Sequence, residues 1–111
     1  MVSFEGKIIS GRFWNFAAMI GDNTTTYGAG GNGGQYSFAF GQQAKAASSH
    51  SIAMGQYSST GNHTGSIAIG SYSNAGNASA TAVGYGAAAS GSGSIGLGRS
   101  ANASADKAVA I

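Results

Sequence analysis

Three acids, two histidines and one glycine-rich passage are the residues of this chain with reactive chemistry to offer. The acids are Glu5, Asp22 and Asp106. Paired-carboxylate hydrolysis needs two such groups converging in a cleft. Glu5 and Asp22 are close enough in sequence to meet, but nothing around them signals a pocket. His50 and His63 lie on adjacent turns of a repetitive region, and imidazole is a common metal ligand. No carboxylate supports them and the chain has no Cys, so they read as exposed turn residues rather than as a metal or anion site. Gly28-Ala29-Gly30-Gly31-Asn32-Gly33-Gly34 contains G-x-G-x-x-G. No helical pattern follows it, so there is no helix N-terminus on which a pyrophosphate would rest. A Ser-His-Asp set can be drawn from any serine-rich chain and carries no weight. The expectation is therefore a non-enzymatic protein with no cofactor and no metal.

Charge excludes further classes. Charged residues are 7% of the chain and the net charge is +2. Nucleic-acid binding needs a dense Lys/Arg footprint, which five scattered basic residues do not supply. No apolar run approaches the ~20 residues of a membrane helix, so membrane insertion is not expected. Nor does the apolar stretch from Phe13 to Ile20, which follows Glu5 and Arg12 and includes Asn15, read as a secretory leader.

Twenty Gly, no Pro and abundant Ala and Ser would suit a flexible linker if they fell at random. They do not. Ser37-Phe38-Ala39-Phe40-Gly41 recurs as Ser51-Ile52-Ala53-Met54-Gly55, Ser66-Ile67-Ala68-Ile69-Gly70, Ala80-Thr81-Ala82-Val83-Gly84 and Ser94-Ile95-Gly96-Leu97-Gly98, and the chain closes on Ala108-Val109-Ala110-Ile111. The spacings are 14, 15, 14, 14 and 14 residues, with the extra residue near Asn62-His63-Thr64-Gly65 predicting a bulged turn.

Within each unit the second and fourth positions are bulky, and the first and third are small. That is the period-two alternation of a short strand. It defines an apolar stripe of Phe38, Phe40, Ile52, Met54, Ile67, Ile69, Val83, Ile95, Leu97, Val109 and Ile111, interrupted by Thr81. Gly41, Gly55, Gly70, Gly84 and Gly98 fill the fifth position, which predicts either a positive φ or a backbone approach too close for a Cβ. The eighth and tenth positions are always small, as in Ala44/Ala46, Ser58/Thr60 and Ser73/Ala75. They predict a second strand whose inward side chains fit a narrow space. Each unit thus reads as strand, turn, strand, turn, one coil of an all-β parallel β-roll. A helix is excluded because Gly recurs too densely, at ~1 kcal/mol per interior site.

These S-I-A-x-G units, followed by x-x-S/A-x-A, resemble the head repeats of trimeric autotransporter adhesins of the YadA type. The resemblance covers Ser37 to Ile111. It implies a left-handed parallel β-roll assembled as a homotrimer, with apolar stripes buried in roll or interface. Whether the stripe faces the roll interior or the threefold axis stays open at this point. A coil of 14 residues encloses little volume, so trimerisation is expected to be part of folding. Tyr57 and Tyr72 share the seventh position, with Tyr85 one position earlier, and predict an aromatic ladder that is either simple stacking or a surface for glycans or proteins.

Residues 1–36 show no such repeat and divide from the roll of residues 37–111. They hold a dense apolar cluster, with Phe13, Trp14 and Phe16 at its centre. It reads either as a cap over the first coil or as an attachment segment. Attachment is the expectation, because eight large apolar residues exceed what one thin coil covers. No leader, neck motif, stalk heptads or membrane barrel is read, and the chain stops where the next turn glycine would fall. The same head repeat serves in bacteriophage appendages. The leading expectation is accordingly a virion component (fibre, tail appendage or capsid decoration) held to capsid or tail proteins by its N-terminal segment. The alternative is the head of a bacterial surface adhesin that binds a cell-surface receptor or host matrix. Ice binding is set aside, because Thr24-Thr25-Thr26 lies outside the repeat and no Thr ladder runs through it.

Overall fold

A computed structural model describes residues 37–46 and 48–111, together with the strand backbone at 2–3, 17–20 and 25–26. The strands run in chain order β1 (Val2–Ser3), β2 (Ala17–Ile20), β3 (Thr25–Thr26), β4 (Ser37–Phe40), β5 (Lys45–Ala46), β6 (Ile52–Met54), β7 (Ile67–Ile69), β8 (Asn74–Ala75), β9 (Thr81–Val83), β10 (Ala88–Ala89), β11 (Ile95–Leu97), β12 (Asn102–Ala103) and β13 (Val109–Ala110). The described residues contain no helix.

The fold is a parallel β-solenoid. One sheet takes the first strand of every coil in the order β1-β2-β4-β6-β7-β9-β11-β13, parallel throughout. The second strands form β8-β10-β12 and β3-β5, which single bridges from Ser59 to Lys45 and to Asn74 join into one line. The register repeats the sequence period: Phe38 pairs with Ile52, Ile52 with Ile67, Ile67 with Thr81, Thr81 with Ile95 and Ile95 with Val109. Equivalent positions therefore stack in rows along the roll.

The interior is lined by the small residues. Ser37, Ala39, Ala44, Ala46, Ala53, Ser58, Thr60, Ala68, Ala75, Ala82 and Ala89 are fully buried, and Thr60 is the largest side chain to be so. An interior whose largest fully buried side chain is a threonine has no room for Ile, Leu, Met or Phe, so alternation turns the bulky residues outward. Several inward serines satisfy their hydroxyls on the turn three residues back. Ser58 donates to the Gly55 carbonyl at 2.8 Å, Ser73 to Gly70 at 2.8 Å and Ser94 to Gly91 at 2.7 Å. A buried hydroxyl without such an acceptor would cost ~1–3 kcal/mol.

Both lines of strands also reach N-terminal to residue 37, into the segment that lacks the 14-residue spacing. Ala17 pairs with Ser37 and Ile20 with Phe40, and Thr25 pairs with Lys45. The offset there is longer than in the roll, and for that reason the fixed period does not reveal it.

Candidate functional surfaces

Among the described residues, the functional candidates are the outer faces of the roll. The first is the face of the long sheet. Phe38, Phe40, Ile52, Ile67, Ile69, Val83 and Ile95 are half-buried, and Met54, Leu97, Val109 and Ile111 are exposed. The stripe thus lies on the outside of the roll. Phe38 and Phe40 meet edge-to-face with ring centroids 6.0 Å apart. A contiguous row of such side chains exceeds the scattered apolar exposure ordinary for a monomer surface.

The turn glycines make this regularity possible. Gly41, Gly55, Gly70, Gly84 and Gly98 have φ of 120°, 121°, 122°, 133° and 116°. A Cβ on Gly70 would lie 2.6 Å from the Gly84 carbonyl oxygen, and one on Gly84 would lie 2.5 Å from that of Gly98. Positive φ is present at all five and close approach at Gly41, Gly55, Gly70 and Gly84, each of which stacks directly on the glycine of the next coil.

This pattern of inward small residues, outward apolar rows and stacked turn glycines is matched by a family model. The YadA head domain repeat, in two copies, matches residues 33–58, 64–87 and 89–111, about two-thirds of the chain. The chain belongs to the YadA head domain repeat family. The break between the first two matched segments falls on the one coil of 15 residues. No curated protein and no solved structure matches the chain. Membership makes this an adhesin-like head built as a β-roll.

The second surface of the YadA-type roll is the turn edge beyond the glycines. Tyr57 and Tyr72 stack at 5.2 Å with planes 14° apart, Tyr72 meets Tyr85 at 5.9 Å and 62°, and the Arg99 guanidinium sits 5.8 Å from the Tyr85 ring centre. These tyrosines are 39%, 52% and 55% exposed. The rings contact one another and Arg99 along the row, yet each keeps a large exposed fraction. Gln56 extends the row by donating from Nε2 to Gln42 Oε1 at 2.8 Å.

Sequence reasoning missed the backbone beneath this edge. Gln43, Tyr57, Tyr72 and Ser100 have φ between 57° and 62°, as do His50, Ser79 and Lys107 in the second turn. Each is the third residue of a four-residue turn, where a type II geometry calls for positive φ and favours Gly or Asn. Their own side chains do not mark them, but the equivalent positions of other coils do, since Gly86 lies in the row of Tyr72 and Ser100, and Gly65 and Gly93 in the row of Ser79 and Lys107, at φ of 67°, 73° and 65°.

The histidines are not brought into register. The N–H of Gly65 donates to Ser49 just as that of Ser79 donates to Thr64, so the residue over His50 in the next coil is Gly65 and not His63. The described residues contain no group of three or more His, Cys, Asp or Glu able to hold a metal ion. Asp106 has a structural contact, its Oδ1 accepting the Ser92 N–H at 2.9 Å across one coil. Glu5, Asp22, the glycine-rich passage at 28–34 and the attachment residues Phe13, Trp14 and Phe16 lie outside the described residues.

Proposed function

We propose that this chain is the non-enzymatic head of a bacterial surface adhesin of the trimeric autotransporter class. Three rolls pack their outward apolar faces against one another, and the turn edges and second sheets face host matrix or cells. The observation that carries this reading is the placement of the stripe. A single roll leaves Ile52, Ile67, Ile69 and Ile95 half in water, although fully burying such a side chain is worth ~1.5–3 kcal/mol. The interior, already filled by Ala and Ser, gives them nowhere else to go. The family match is to an adhesin head, and it favours the bacterial surface over the virion.

Light scattering on the purified protein tests the assembly. Three times the 10.8 kDa chain mass is expected, and a folded monomer at micromolar concentration would overturn it. Beads coated with the assembled protein should then be retained on matrix-coated wells more than beads coated with heat-unfolded protein. Equal retention would remove the adhesive role.

A further inference from the structure

Four asparagines stand two residues before a hydroxyl residue: Asn23-Thr24-Thr25, Asn62-His63-Thr64, Asn77-Ala78-Ser79 and Asn102-Ala103-Ser104. This is the acceptor pattern for attachment of a sugar to the Asn side-chain amide. The pattern recurs by chance in chains rich in Asn and Ser, so access must decide which examples can react. The first lies outside the described residues. The remaining three differ sharply.

Asn62 is exposed, as is Thr64. It sits in the coil that carries the extra residue, directly after Gly61 at φ 61°. Among the described residues its side-chain amide has no hydrogen-bond partner. Asn102 is exposed on β12, an outer strand of its sheet, with Ser104 exposed beyond it. Its neighbour Ala103 points inward at 2% exposure, which puts the Asn102 side chain on the outer face. Asn77 is half-buried and its amide is engaged at both ends. Its Oδ1 accepts the Ala78 N–H at 2.8 Å, and its Nδ2 donates to the Ser90 carbonyl at 3.3 Å.

We infer that the chain is an acceptor for N-linked glycosylation at Asn62 and Asn102, and that Asn77 is passed over in the folded roll. The co-substrate is a sugar activated at its anomeric carbon by a phosphate or pyrophosphate leaving group. Nδ2 of the asparagine forms a bond to that carbon, and the bond from the carbon to the phosphate oxygen breaks. The phosphate leaves with the electron pair, and the amide gives up one proton to a base of the transferase. Nothing is oxidised or reduced. Neither asparagine lies on the apolar face of the long sheet, so packing between copies leaves both open. Modification here does not depend on what the head binds.

The test is peptide mass spectrometry, with fragmentation that retains sugars, on full-length chain purified from the cells that naturally make it. Sugar is expected on the peptides holding Asn62 and Asn102 and absent from Asn77. Thr64→Ala and Ser104→Ala keep each asparagine but remove its motif, and each should abolish occupancy at its own site only. Circular dichroism should match the parent. Bare Asn62 and Asn102 would overturn the proposal, as would sugar that persists on either peptide after its own motif is removed, or sugar found there on Ser and Thr hydroxyls instead. Asn77 occupied as fully as Asn62 would overturn the ranking by access.

Discussion

At the scale of single residues, the turn glycines separate two costs that usually arrive together. Gly84 and Gly86 both have a positive φ, at 133° and 67°. A Cβ on Gly84 meets the next coil's backbone at 2.5 Å, whereas one on Gly86 finds nothing nearer than the Ser100 hydroxyl oxygen at 3.8 Å. Gly86→Ala should therefore lose only the backbone strain, ~1–3 kcal/mol. Gly84→Ala should lose that and ~1–3 kcal/mol more from overpacking. Urea melts of the two variants check the difference, and equal midpoints would contradict coil-on-coil stacking. The reverse gain is available where a non-glycine residue holds the left-handed conformation. Ser100, at φ 59° and exposed, should become more stable by roughly 0.5–1 kcal/mol as Ser100→Gly, read as a raised Tm. The fifth-position glycines were legible because they recur at one position of every complete unit. Gln43, Tyr57 and Ser100 were not, because their coil positions tolerate several side chains and the strain is carried by the backbone alone.

At the scale of strands, alternation located the elements but not their orientation. The usual expectation turns bulky apolar residues inward, and β9 with Thr81, Ala82 and Val83 could be read either way. The deciding fact lies on the opposite strand: β10 contributes Ala89 and the turn before it Ala87, both fully buried, and two facing rows of small side chains leave no volume for Val83 inside. Legibility failed again upstream, where β2 pairs with β4 at an offset that the 14-residue period does not contain. The strand assignment predicts opposite responses from adjacent residues. Ala82→Leu forces three extra carbons into a closed interior and should cost at least ~1–3 kcal/mol. Val83→Leu points outward and should change the unfolding free energy of a single roll by less than ~0.5 kcal/mol. Denaturant titration of both at a concentration where assembly is constant distinguishes them.

At the scale of the whole molecule, the proposed assembly depends on the outward stripe and not on the roll interior. Ile67 and Ile69 sit on β7 in the middle of the long sheet. The double substitution Ile67→Asp with Ile69→Asp places six charges on the packed faces of three copies. It should reduce the scattering mass to that of one chain at micromolar concentration, and a retained trimer would place the interface elsewhere. The in-step register has one more result. Every coil presents the same rows at the same positions, so a coil is a unit of length. Duplicating one 14-residue unit between Gly70 and Gly84 would lengthen the projection by a single strand spacing, about 4.8 Å, without changing its cross-section. A gene encoding such a chain can therefore adjust how far its product reaches by gaining or losing short in-frame segments, each step preserving the surface already in use.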